Sequence, residues 1–358
     1  MRRFLFFVNA EYCYAIMRPL QEVIRARGDK AAWFVFGCSS APLEGDEILF
    51  ENVDDAAAWN PHAVFSPGDW TPYFLPGAKV QIFHGIARNK RGAATEAESD
   101  HYRIRGWFDL YCTHAMEDTE RFQTLSDELG TFHVVKTGWP KLDPLFRERR
   151  QYMAVAGDEI PTVFFASTFS PSMTAAPALV DVVEQLVRSG KWRFIVTLHP
   201  KMDPNVVSKF ERINHPNYQY LAPECDLFSW MTKADVMLCD TSSIMYEFML
   251  LDKPVVTFRT RNPGPWLINV ESPQNIEPAL AKALDRPPTL LESARLLCRE
   301  LHEFDDGCSS ERVMDAVDDL LSGGIRKLKR KPLNILRKLK LRRKFGYWGP
   351  ALKNEEVQ

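Results

Sequence analysis

ADVMLCDTSSIMYEFMLLDKPVVTF, residues 234–258, joins an apolar run, a turn of small polar residues, a helical stretch and a second apolar run. Short apolar runs bounded by turn residues read as buried strands. A strand, a helix and a strand in succession make the crossover unit of a parallel sheet. The turn, Asp240-Thr241-Ser242-Ser243, has two readings. Asp240 or Ser242 would cap the helix, worth about 1 kcal/mol. Alternatively, unpaired amides at a helix start near Ser243 carry a partial charge of roughly +0.5. With the Thr and Ser hydroxyls they would bind a phosphate. Glu247, four residues beyond Ser243, lies on the same helix face, in reach of a ribose diol.

The same rhythm runs outward in both directions. FLFFV, AAWFVF, HAVF, KVQIF, DLYC and FHVV are strand candidates in the first part, with amphipathic helices over 15–27 and 115–129. FRERRQYMAVAGDEIP, residues 146–161, is charged, ends in Pro161 and reads as a linker. TVFFAS, WRFIVTLHP and NYQYL then precede the opening stretch, with helices between them. Three more helical stretches follow near 275–284, 289–303 and 309–321. This alternation predicts an α/β chain with two Rossmann-like, parallel-sheet domains, 1–145 and 162–322, and a tail from 323. Ligands of such sheets bind at the carboxyl ends of the strands, so a cleft between the domains is the expected site.

The residues that end strands are accordingly the informative ones. His84-Gly85 follows KVQIF, and KTGWPKLD (136–143) follows FHVV, with Lys141 or Asp143 turned towards the opening by Gly138 and Pro140. Ser167-Thr168 follows TVFFA, and His199-Pro200 follows RFIVTL. Gly, His, Ser and Thr are residue types that meet a phosphate ester: glycine lets the backbone approach closely, and histidine donates in either charge state. Each has an ordinary structural use as well; their co-location at strand ends is what points to a ligand. Arg88, Lys90 and Arg91 follow His84-Gly85 in a small-residue loop. Walker, GxGxxG, HExxH, GxSxG and CxxC patterns are absent.

Composition excludes several classes. Apolar residues make up 45% and charged residues 26%, an ordinary globular balance. Seven cysteines without CxxC spacing suggest free thiols in a reducing compartment, not zinc. FLFFV is too short for a signal-peptide core, and no run approaches the roughly 20 apolar residues that span a bilayer. The formal net charge of −2 hides an asymmetry: residues 1–325 hold 33 basic and 45 acidic residues, whereas 326–344 hold eleven basic and no acidic ones. With leucines between Arg337, Lys338, Lys340, Arg342, Arg343 and Lys344, this tail reads as a basic amphipathic helix on an anionic membrane, or as a helix folding back on the first domain. Nucleic acid is not an expected partner.

Taken together, His84-Gly85, Thr137 to Asp143, His199-Pro200, Asp240 to Glu247, Lys253-Pro254, Gly264-Pro265 and Asp306 to Arg312 (with Ser310) resemble the CDP-glycerol glycerophosphotransferase family of teichoic-acid and capsule polymer synthesis. The resemblance covers about residues 80 to 315. It implies a GT-B-like fold, a CDP-polyol donor and transfer of a polyol phosphate to a hydroxyl of a lipid-linked or saccharide acceptor, with release of CMP. By position, His84 would be the base and His199 a donor-phosphate contact. Thr241, Ser242 and Ser243 would line the pyrophosphate, Glu247 the ribose, and Gly85, Gly138, Pro140, Asp143, Ser167, Thr168, Asp240 and Ser310 the rest of the donor site. The family's His-Gly-Thr-Pro is here His84-Gly85-Ile86-Ala87. The first 80 residues match no named pattern and are the expected acceptor side. No cofactor is implied; Mg²⁺ assistance stays open, with no Asp-x-Asp pair at a strand end. The expected location is cytoplasmic and peripheral, on the inner face of the membrane. The rival readings are a GT-B glycosyltransferase or epimerase using a UDP-sugar, and a non-catalytic nucleotide-binding scaffold.

Overall fold

The computed structural model describes residues 1–38, 43, 45–86, 100–152, 160–222, 225, 227–323 and 327–349. The loop with Arg88, Lys90 and Arg91 lies outside them. The chain forms two compact units: residues 1–143 with the chain from Cys308 onward, and residues 144–307.

The first unit is built on seven parallel strands. β1 (Arg3–Val8) pairs with β2 (Lys30–Val35) and with β4 (Ala63–Ser66), while β3 (Ile48–Phe50) sits at the edge. β5 (Ala78–Gln81), β6 (Leu110–Thr113) and β7 (His133–Lys136) extend the other side, giving the order β3-β2-β1-β4-β5-β6-β7. Phe4 to Val8 are fully buried, which is why β1 reads as a continuous apolar run: its two faces are both covered. α1 (Tyr12–Ala26) starts three residues before the expected Ala15 and buries Ile16, Met17, Leu20 and Ile24. α2 (Val53–Ala58) is capped by Asn52, whose side chain accepts from the Asp55 amide. α3 (Met116–Leu129) ends on left-handed Gly130.

The second unit holds six parallel strands in the order β10-β9-β8-β11-β12-β13. They are β8 (Thr162–Ser167), β9 (Arg193–Leu198), β10 (Tyr218–Leu221), β11 (Val236–Cys239), β12 (Val255–Phe258) and β13 (Ile268–Val270). α4 (Asp143–Tyr152) precedes them, and α5 (Ala176–Arg188), α6 (Pro204–Glu211), α7 (Leu227–Lys233), α8 (Ile244–Met249), α9 (Ile276–Leu284) and α10 (Pro288–Leu301) alternate with or follow the strands. Val163, Phe165, Val183, Val196, Leu238, Val256 and Leu280 share one apolar core.

Two boundaries differ from the sequence reading. The first part of the expected linker, 146–152, is α4: Pro144 stands in its first turn, Leu145 and Phe146 are buried, and Arg147 and Arg149 donate to the Gly307 and Leu250 carbonyls. α11 (Ser309–Ser322), expected in the second domain, belongs to the first unit, where Arg27 pairs with Asp315 and Asp318 at 2.7 and 3.1 Å. The tail is likewise part of the first unit. Lys331 Nζ bonds the Trp107 carbonyl at 2.9 Å and Asp109 at 2.5 Å, and Asn334 donates to the Arg105 carbonyl. α12 (Ile335–Phe345) lodges the Phe345 ring 4.1 Å from Phe36 and 5.5 Å from Phe74. Among the described residues no helix is long and apolar enough to cross a membrane. All seven cysteines are free thiols.

Candidate functional site

In an open parallel sheet the ligand crevice lies where the strand order reverses. In the second unit that point is between β8 and β11. Asp240 leaves β11 fully buried, and its Oδ2 accepts from Ser167 Oγ at 2.6 Å and from the Thr168 and Ala175 amides at 3.0 Å each. Burial pushes its carboxyl above the ordinary value, while these donors pull it down. Asp240 therefore joins the two strand ends and faces inward; as placed, it ties their loops together from behind. Ser167, buried, completes this knot through Thr174 Oγ1 at 3.0 Å.

Thr241, Ser242 and Ser243 are half-buried and line the mouth of the turn. The capping reading of the sequence is not realised: Ser243 is the N-cap residue of α8, without a side-chain bond. The anion reading is modified too, because α8 is only six residues long and contributes a shorter dipole than expected. Thr241 Oγ1 accepts from the Arg261 amide at 3.0 Å, drawing the loop after β12 alongside. Arg261 in turn donates to Ser172 Oγ at 3.1 Å, and Lys201 Nζ stands 5.8 Å over the Phe169 ring. These two cations escaped the sequence reading, although both directly follow strand-end motifs, HPK and RTR. Glu247 is buried in α8.

His199 is exposed at the end of β9, with its ring 4.4 Å from Phe169. Its Nδ1 accepts the Lys201 amide at 3.0 Å. The neutral ring thus carries its proton on Nε2, the form that donates to a phosphate oxygen.

The first unit presents the opposite tautomer. His84 is exposed just beyond β5, and its Nδ1 lies 3.3 Å from the Pro67 carbonyl, which can only accept. Nδ1 therefore holds the proton and the Nε2 lone pair is directed elsewhere, the arrangement of a general base. The preceding Phe83 has φ +54°, a costly conformation for a bulky residue. Its ring is wedged among Tyr111, His114 and Phe122, and its carbonyl accepts from Trp139 Nε1 at 3.3 Å. The TGWPKLD motif thereby holds the His84 loop. A Cβ built on Gly85 would meet nothing within 4 Å, so the backbone beside His84 is open there.

The remaining sequence candidates sit behind this surface. Gly138, with φ +80°, and Pro140 are buried and shape the turn that delivers Trp139. Asp143 and Ser310 are fully buried and bonded to each other's element: the Ser309 and Ser310 amides donate to the two Asp143 oxygens at 2.8 and 2.7 Å. Both amides are thus engaged by Asp143, which caps α11, so these two residues support the first unit from within. Thr168 is half-buried beside Asp240. Of the tail cations, Lys338 and Arg342 lie over Tyr73, Lys344 over Trp70 and Phe36; Arg337, Lys340 and Arg343 point to solvent. Among the described residues no group of three His, Cys, Asp or Glu is placed to hold a metal ion.

Comparison with known proteins gives this geometry a context. A curated relative, the teichoic acid glycerol-phosphate primase of Bacillus subtilis (strain 168), is 25% identical over 152 residues, 41% of this chain and 39% of the relative. The match therefore spans well under half of that protein. Among solved structures, the wall teichoic acid polymerase TagF matches with a TM-score of 0.62 at 14% identity, covering 91% of this chain and 90% of that one. A UDP-N-acetylglucosamine 2-epimerase matches with a TM-score of 0.58 at 15% identity, covering 93% and 99%. These likenesses establish the fold, α/β and GT-B-like with two Rossmann-like units. The family model for CDP-Glycerol:Poly(glycerophosphate) glycerophosphotransferase matches residues 80–319, more than half of the chain and the whole run from β5 into α11. On that match, the chain belongs to the CDP-glycerol:poly(glycerophosphate) glycerophosphotransferase family of transferases.

Proposed function

We propose that the protein transfers glycerol phosphate from CDP-glycerol to a hydroxyl of a lipid-linked or saccharide acceptor in teichoic-acid-type polymer synthesis, releasing CMP. The observation that carries this reading is the family match over residues 80–319, within which each unit supplies a strand-end histidine in a suited tautomer. His84 Nε2 takes the proton of the acceptor hydroxyl. The acceptor oxygen attacks the β-phosphorus, and the bond from that phosphorus to the bridging oxygen breaks. CMP departs with the bridging oxygen and its electron pair. His199 Nε2–H, the hydroxyls of Thr241, Ser242 and Ser243, and the cations of Lys201 and Arg261 stabilise the charge that gathers there. A positioned base contributes about 10²–10⁴-fold. In an assay of CMP release, His84→Ala should leave CDP-glycerol binding near normal while turnover falls by about that factor. Turnover within twofold of the wild type would remove His84 from the mechanism. Titration with CMP against UDP separates this reading from a UDP-sugar enzyme, whose fold is similar.

The tail supports a peripheral membrane location beside a lipid-linked acceptor. Its inner face is fastened by Phe345 and by Arg342, whose Nε bonds Tyr73 Oη at 2.7 Å. Its outer face exposes Leu333, Ile335, Leu336 and Leu339, with Trp348 just beyond, among Arg337, Lys340 and Arg343. Apolar side chains with a basic fringe and an interfacial Trp suit an anionic bilayer surface.

A further inference from the structure

The first sheet has its own reversal of strand order, between β1 and β4. The crevice at the carboxyl ends of these strands is the place where such a sheet takes a ligand. Asn9 to Tyr12 leave β1, and Pro67 to Asp69 leave β4. His84 touches both walls: Nδ1 meets the Pro67 carbonyl, and its ring lies 5.6 Å from that of Tyr12, tilted by 37°. Tyr12 is 45% exposed, one of few large rings left open to solvent among the described residues of this unit. Asn9 closes the floor, with its amide 3.4 Å from where a Cβ on Gly68 would stand. Partial burial raises the Tyr12 hydroxyl to about 12, so it keeps its proton and can donate. Glu11, next in the chain, and Asp69 are both exposed, and Asp69 pairs with Arg105 at 3.5 Å.

We propose that this crevice is the acceptor subsite, with the open face of Tyr12 as a platform for a neutral terminal sugar whose hydroxyl meets Nε2 of His84. The proposal rests on His84 being the base. The ligand class follows from the wall chemistry. An aromatic face packs against the apolar C–H face of a sugar ring, while polar groups around it fix orientation. Carboxylates accept bonds from sugar hydroxyls. A sugar-ended acceptor therefore fits this wall better than a chain already ending in glycerol phosphate.

The test compares the wild type, Tyr12→Ala and Tyr12→Phe in CMP release from CDP-glycerol. One acceptor is an alkyl disaccharide; the other is the same molecule ended in glycerol phosphate. Tyr12→Ala should raise KM for the disaccharide at least tenfold and Tyr12→Phe less than threefold. The CDP-glycerol Kd and the urea midpoint should stay unchanged. An unchanged KM for the disaccharide, or a tenfold rise confined to the phosphate-ended acceptor, overturns the proposal. Should the wild type release no CMP with either acceptor, the functional reading fails while the subsite stays testable. Saturation-transfer NMR of the disaccharide should then give a signal with the wild type that Tyr12→Ala loses; equal signals overturn the subsite. Tyr12→Leu replaces Tyr12→Ala if that variant does not fold.

Discussion

Asp143 and Ser310, 167 positions apart, meet in a buried cap: one carboxylate oxygen accepts the Ser310 amide at 2.7 Å and the other the Ser309 amide at 2.8 Å. Two motif residues expected to face the donor instead tie the end of the TGWPKLD turn to the start of α11.

Asp143→Asn keeps the shape of this side chain but has only one acceptor oxygen, so one buried amide loses its partner. Such an orphan costs about 1–3 kcal/mol. The urea midpoint should drop accordingly at unchanged m, with donor binding intact. A stable variant with weakened CDP-glycerol affinity would put Asp143 back in the ligand site.

The sequence showed which residues matter more clearly than what each one does. Strand runs such as FLFFV and TVFFAS were legible because central parallel strands are apolar on both faces. ILF at β3 and INV at β13 were missed: three-residue, half-buried edge strands leave no periodic signal. Lys253 belongs to the same lesson. It was carried over only as part of a motif, yet its ammonium gathers the carbonyls of Met231, Thr232 and Ala234 at the end of α7. Nothing local in LDKPVV says that a lysine there will be a helix cap. Asp240 looked like a cap for the helix that follows it; its partners lie 65 to 73 residues upstream, across the sheet. The complementary histidine tautomers depend on single backbone groups, the Pro67 carbonyl and the Lys201 amide, which only the folded turns bring into range.

Asp240 also gives stability a pH dependence of definite sign. Burial holds its folded carboxyl above the ordinary value. The unfolded chain, near about 3.9, therefore loses its proton first as pH rises. Above that value the folded state binds more protons, so this group withdraws stability as pH climbs to its folded pKa, and its contribution is flat beyond. Asp240→Asn cannot titrate. The unfolding free energy of the wild type minus that of the variant should thus fall as pH rises above about 4 in urea melts. A difference that rises over this window would mean that the donors from Ser167, Thr168 and Ala175 outweigh burial.

The two faces of α12 should separate cleanly in experiment. Phe345 is packed among Phe36, Phe74 and Trp70, so Phe345→Ala should cost about 2 kcal/mol of stability through lost packing. Leu336 and Leu339 are 76% and 46% exposed, so Leu336→Ser with Leu339→Ser should leave the urea midpoint within error. The same double variant should bind phosphatidylglycerol vesicles at least tenfold more weakly in sedimentation, because each apolar side chain entering the interface adds about 25 cal/mol per Å² buried. Arg337, Lys340 and Arg343 would each add about 1 kcal/mol near an anionic surface, so neutral phosphatidylcholine vesicles should bind the wild type far less. If the double serine variant pellets with anionic vesicles as the wild type does, the outer face is not what holds the protein at a membrane. If it instead unfolds earlier, those leucines belong to an internal contact, and the tail is a strap for the first unit alone.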